Sequence, residues 1–201
     1  MNVRRNALAS GLLLLWSVAQ AGSPSAPIDG PTYAADGGLM LPANYREWVF
    51  LSAGIDMSYI AGAMPTDPHM MDNVFVDPAA YRAFQATGRW PDRTMLVKEN
   101  RRASGKGSIN KSGNFQSTEI MDIEVHLKDA SRFPAKWAFF DFGAGRQSAA
   151  AIPQAADCYS CHAAHGAVDN TFVQFYPTLL LIAKAKGTLS AGYKRDEGAP
   201  D

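Results

Sequence analysis

Met121-Asp122-Ile123-Glu124-Val125-His126-Leu127-Lys128 alternates apolar and polar side chains without a break. A period of two puts Met121, Ile123, Val125 and Leu127 on one side of an extended chain, so the stretch predicts a strand with one buried face. The neighbouring segments carry related signatures. Downstream, Trp137 to Phe142 is nearly continuous in aromatic residues and predicts a strand buried on both faces. Upstream, Thr94 to Glu99, Val74-Phe75-Val76 and Tyr45 to Leu51 have the composition of strands. Asp77-Pro78 ends one of these and opens a short helix, with Asp77 as N-cap, Tyr81, Phe84 and Gln85 at helical spacing, and Gly88 as the stop. After Gly143 and Gly145 the pattern turns helical: an Ala-rich run, a segment around Cys158, then Thr171 to Lys186. Phe172, Phe175, Leu179 and Ile182 recur there at spacings of three and four, and Pro177 is expected to kink or divide that helix. Strands in the centre and helices at the end predict an α+β fold, an antiparallel β-sheet with flanking helices.

The only two cysteines stand in Cys158-Tyr159-Ser160-Cys161-His162. CxxCH is the pattern of covalent c-type haem attachment: two thiols add to the haem vinyl groups and the adjacent imidazole ligates iron. The attachment points share one helical turn, which is why the spacing is tight. A disulfide or a redox CxxC is the alternative, but that motif opens a helix after a strand in a thioredoxin-like βαβ unit, and no such unit is evident. We therefore expect one haem c, held by Cys158 and Cys161 with His162 on iron, on a haem helix near the C-terminus. Four-helix cytochromes also carry CxxCH near the C-terminus, but they need four long amphipathic helices.

The 39 residues after His162 contain neither Met nor Cys, so the usual downstream methionine ligand is missing. His165 lies on the same local segment as His162 and is expected to face solvent or the haem edge. Met70, Met71, Met95 and Met121 stay as alternatives for the sixth ligand, although Met is more often core filler. An open sixth position is the expectation, and it implies binding or redox chemistry of a small molecule at iron.

The chain has 201 residues, 47% of them hydrophobic, enough to bury a core. Basic and acidic residues number 19 each, so no electrostatic footprint for nucleic acid is present. Arg4 and Arg5, the apolar stretch Ala7 to Val18, and Ala19-Gln20-Ala21 read as a secretory signal peptide, residues 1–21, too short in its apolar part to span a bilayer. The twin arginine hints at Tat, but Sec export fits the rest better. Residues 22–43, rich in Gly, Pro, Ala and Ser, are expected to form a flexible mature N-terminus, 44–190 the haem domain, and 191–201 a flexible tail.

Six segments in order resemble the cytochrome P-460 family: Tyr45-Arg46-Glu47-Trp48-Val49; Val74 to Tyr81; Thr94-Met95-Leu96-Val97-Lys98-Glu99; Lys128-Asp129 with Arg132-Phe133; Trp137-Ala138-Phe139-Phe140; and Cys158 to His165 followed by Phe175-Tyr176-Pro177. The resemblance covers nearly the whole mature chain. It implies a small periplasmic haem c protein, commonly a homodimer, with an antiparallel sheet supporting a five-coordinate haem. It also implies oxidation of hydroxylamine to nitric or nitrous oxide, and a lysine covalently joined to the haem macrocycle. Lys98 falls where that lysine stands, and Thr94, Leu96 and Lys98 share one strand face, which would let Lys98 point inward.

Relatives that oxidise hydroxylamine are similar in carrying a glutamate shortly before CxxCH, where this chain reads Gln154-Ala155-Ala156-Asp157. Ala156 matches the glutamate position. Asp157 and His69 are the candidate substitutes as proton acceptors, against the plainer readings of Asp157 as an N-cap and His69 as a loop residue. Asp72 stands where an arginine of the distal side would align. Unless Asp157 or His69 reaches the pocket, hydroxylamine turnover is expected to be weak or absent. Three readings follow: hydroxylamine or nitric oxide oxidoreductase, nitric oxide binding protein similar to cytochromes c′-beta, or plain electron-transfer cytochrome. A polar pocket with a proton acceptor favours the first, and an apolar pocket roofed by Phe or Met favours the second. Expected partners are a small nitrogen-oxide or hydroxylamine ligand and a soluble electron acceptor such as another cytochrome.

Overall fold

The computed structural model describes residues 30–60, 62–64 and 67–198, so the signal-peptide segment 1–21 lies outside the described residues. Five strands form an antiparallel meander: β2 (Val49–Ile55), β3 (Met70–Val76), β4 (Met95–Ser104), β5 (Phe115–Lys128) and β6 (Trp137–Asp141), side by side in that order. A two-stranded ribbon pairs β1 (Leu39–Met40) with β7 (Ser148–Ala149). Helix α1 (Pro78–Thr87) sits between β3 and β4, and α2 (Asp157–His165), α3 (Pro177–Lys186) and α4 (Ala191–Asp196) follow the sheet. The class is α+β, as the alternation in β5 predicts, with a helix carrying CxxCH near the C-terminus.

Local chemistry sets the helix ends. Asp77 caps α1 by accepting from Ala80 N–H at 2.8 Å, Pro78 occupies the first turn where its missing N–H costs nothing, and Gly88 closes the helix at φ +72°. Pro177 divides rather than kinks: Val173–Phe175 is a 3-10 turn, and α3 starts at Pro177 itself.

Two apolar clusters pack on opposite faces of the sheet. On one, Met95, Val97, Ile123, Val125, Leu127 and Phe140 meet Leu39, Tyr45 and Trp48 from the N-terminal segment. On the other, Val76, Leu96 and Trp137 meet Phe84 of α1, Leu179 and Ala183 of α3, and Tyr193 of α4.

Three expectations need correction. Tyr45–Glu47 is a 3-10 turn, and the strand begins only at Val49, because Tyr45 turns inward to bury its ring and bond its hydroxyl to Glu99. Residues 30–43 are not loose: Leu39 is fully buried, β1 pairs with β7, and the Tyr33 hydroxyl donates to Asp129 at 3.2 Å. Ala191–Asp196 of the expected tail is anchored as well, since α4 buries Tyr193 and is capped by Ser190, whose Oγ accepts from Tyr193 N–H at 3.0 Å.

Candidate functional site

Cys158, Cys161 and His162 lie along one wall of a cavity of about 400 Å³ between α2 and the sheet, within the range of small-molecule and cofactor sites. Both thiols are unpaired and half-buried. A helix beginning at Asp157 brings the three residues onto adjoining turns, and its last residues are braced from behind by α4. His165 Nδ1 meets Asp196 Oδ2 at 2.8 Å, on the solvent side. An added Cβ at Gly192 would stand 2.0 Å from Ala164 O, so only glycine permits this close packing of α4 on α2.

His162 is held in one orientation. Its Nδ1 donates to Asn170 O at 2.9 Å, Phe172 stacks on the ring at 4.1 Å, and Phe139 meets it edge-on at 4.7 Å. Asp169 and Asn170 adopt left-handed backbone, φ +48° and +59°, which residues with short polar side chains tolerate and which forms the turn presenting that carbonyl. Burial lowers the His162 pKa, favouring the neutral imidazole that a metal requires. With Nδ1 engaged, Nε2 is the nitrogen left to ligate a metal, and the carbonyl fixes the tautomer as it does in metal-ligating histidines. Two thiols and one oriented neutral imidazole on a single cavity wall fit a covalently attached haem.

The floor of the cavity is the sheet face away from the N-terminal segment. Strand register aligns Ser52, Val74, Lys98, Glu124 and Asp141 in one row across all five strands, and every member of the row lines the cavity. Beside this row, Leu96, His126 and Phe139 form a second across the last three strands. Lys98 Nζ pairs with Glu124 Oε2 at 3.0 Å. Burial disfavours the Lys98 ammonium, but Glu124 and Asp72 outweigh it and raise the pKa. Asp72 is 8% exposed, and its Oδ1 is buried without a hydrogen-bond partner among the described residues. Its carboxyl pKa is raised, mainly by burial, with the Lys98 charge pulling the other way.

The two residues expected as proton acceptors are elsewhere. Asp157 is the first residue of α2, not its cap: Ala156 holds the cap position with no side-chain bond, and Asp157 is exposed outside the cavity lining. There its charge complements the positive end of the helix dipole and needs no further partner. His69 is also off the cavity, half-exposed just before β3, where Asp56 holds its Nδ1. Among the methionines, Met95 is buried on the opposite sheet face and Met70, Met71 and Met121 do not line the cavity, whereas Met57 does.

Sequence reading missed Glu124, His126, Asp141 and Met57, and named Asp72 only as a departure. The signal for Glu124 and His126 was the polar half of the alternation in β5, but a polar face reads the same whether it meets water or a cavity.

No curated protein matches the chain. A family model described as Cytochrome P460 matches residues 42–173, from the segment before β2 through the CxxCH helix to the turn that orients His162. The match runs through every strand of the cavity floor and both thiols, and with it the chain belongs to the cytochrome P460 family of haem c cytochromes.

Proposed function

We propose that this chain is an exported, periplasmic protein that carries one haem through Cys158 and Cys161, with His162 on iron, and that it oxidises hydroxylamine or a related nitrogen oxide at the open iron position. Bound there, the haem supplies a one-electron redox centre and a position for substrate nitrogen. One observation carries the choice of oxidoreductase over nitric oxide binding: the carboxylates Asp72 and Glu124 line the cavity, beside the apolar Met57, Phe139, Phe172 and Phe175. Removing electrons from hydroxylamine also releases protons, and a positioned acceptor contributes about a hundredfold to ten-thousandfold. Asp157 and His69 do not fill that role, and the cavity carboxylates do.

The other residues have supporting tasks. The Asn170 carbonyl orients His162 and raises its basicity. Phe139 and Phe172 close off the ring from water. Lys98, on the floor beside Glu124, is the residue we assign to the covalent link with the haem ring, on the strength of the resemblance around Thr94 to Glu99. Electrons pass to a soluble acceptor such as another cytochrome, and the protein works as a homodimer.

Steady-state assays of the purified holoprotein with hydroxylamine and an artificial electron acceptor test this reading. Because Asp72 and Glu124 line the cavity although Asp157 and His69 do not, the expectation of weak or absent turnover is replaced: turnover is expected in the parent protein and in Asp157→Asn and His69→Gln. Absence of turnover in the parent would overturn it. In the same preparations, acid acetone should leave haem on the polypeptide, and Lys98→Ala should convert the spectrum to that of an ordinary haem c.

A further inference from the structure

The floor of the cavity brings together more negative than positive charge. Asp72, Glu124 and Asp141 line it, and Lys98 is the cation opposite them among the described lining residues. The Glu124 and Asp141 side chains are both about half exposed, so both are well screened. Asp72 differs. It is more than nine-tenths buried and Oδ1 has no partner among the described residues, an arrangement that costs free energy unless something completes it. The backbone makes room for it: a Cβ at Gly54, its cross-strand partner, would stand 2.7 Å from Asp72 Oδ2 and 2.4 Å from Met57 Sδ. The absence of a side chain at Gly54 lets the carboxylate and the thioether share the space above β2, at the cavity wall.

From this geometry we infer that Asp72 is a specificity-determining residue, selecting neutral or cationic nitrogen ligands that carry N–H or O–H donors and rejecting anions. A donor on the ligand satisfies the orphaned carboxylate oxygen. An anion would meet a like charge in a water-poor space, and like-charge juxtaposition strongly opposes binding. The inference rests on the proposed open haem site and narrows its substrate class to amine-type nitrogen rather than nitrite-type oxyanions. Asp72 discriminates by an unpaired charge, the device by which a site can reject a ligand of the right size.

Optical titration of the ferric holoprotein with azide, at about pH 8 where azide is an anion, tests this without relying on turnover. Asp72→Asn and Asp72→Ala should each tighten azide binding by at least about tenfold, while carbon monoxide binding to the ferrous form changes less than about twofold. Glu119→Gln removes the same charge from an exposed strand position and should leave azide affinity unaltered. Azide affinity unchanged in both Asp72 variants, with carbon monoxide still bound, would overturn the role of Asp72 while leaving the open site intact. Failure of the parent protein to bind carbon monoxide would instead remove the open site and the proposed function with it.

Discussion

Asp122 illustrates how one residue of the β5 alternation acquires a property that its letter does not carry. Burial, followed by Glu124 and its neighbour Asp141, which also hydrogen-bonds it, pushes its pKa up to about 6. The unfolded value is about 3.9, so between these two values the folded protein holds a proton that the unfolded chain lacks, and this group adds stability as pH falls from about 7 towards about 4. Glu99 and Asp129, whose pKa values are lowered by their partners, act in the opposite sense. Comparing Asp122→Asn with the parent isolates the one contribution: the variant should be the more stable near neutral pH, with the gap closing as the pH drops through 6. Urea unfolding across that interval measures it, and a gap that widens on acidification would contradict the assignment. The same residue-scale logic separates what was legible from what was not. Cys158, Cys161 and His162 could be singled out from spacing alone, because the pattern of covalent haem attachment confines two thiols and an imidazole to a single short segment. Asp72 could not, because its importance lies in lacking a partner.

At the scale of elements, helix ends and strand periods were well encoded, since they depend on neighbours within a few residues. Asp77, Pro78 and Gly88 delimit α1 as their local chemistry requires. Tyr45 to Leu51 misled for an equally physical reason. Its aromatic composition suits a strand, but Tyr45 is drawn into a 3-10 turn by a hydroxyl partner, Glu99, that lies 54 residues away. The contact between α4 and α2 is another long-range fact. Gly192 abuts the backbone at Ala164, so Gly192→Ala should push α4 off the haem helix and lower the unfolding free energy by about 1–3 kcal/mol, the usual cost of overpacking. Denaturant unfolding of the holoprotein gives the number, and a loss below about 0.5 kcal/mol would mean that α4 is not tightly docked.

Across the described residues, the sheet separates an apolar core under the N-terminal segment from a second apolar cluster and the cavity under the helices. Leu39, fully buried in the first, closes that core from a segment whose composition suggested a loose extension. Leu39→Ala should cost about 2–5 kcal/mol, as for other large-to-small changes in a packed core, read from the shift in denaturant midpoint. A negligible cost would show that residues 30–43 do not close the core. What the sequence determined by itself were the features set by near neighbours. The alternation of Met121 to Lys128 dictates an extended chain with one apolar side, Asp77-Pro78 and Gly88 dictate a helix, and CxxCH sets two thiols and an imidazole on one short segment. Only the tertiary structure decided which side of the sheet would face the helix carrying CxxCH, that Glu124 and His126 from the polar half of β5 would line a cavity, and that Asp72 would be enclosed there while Asp157 and His69 stayed outside. Those outcomes depend on strand register and on helices packed from far along the chain, and a side chain's environment in a sheet is fixed by residues on other strands that its own neighbours in sequence do not specify.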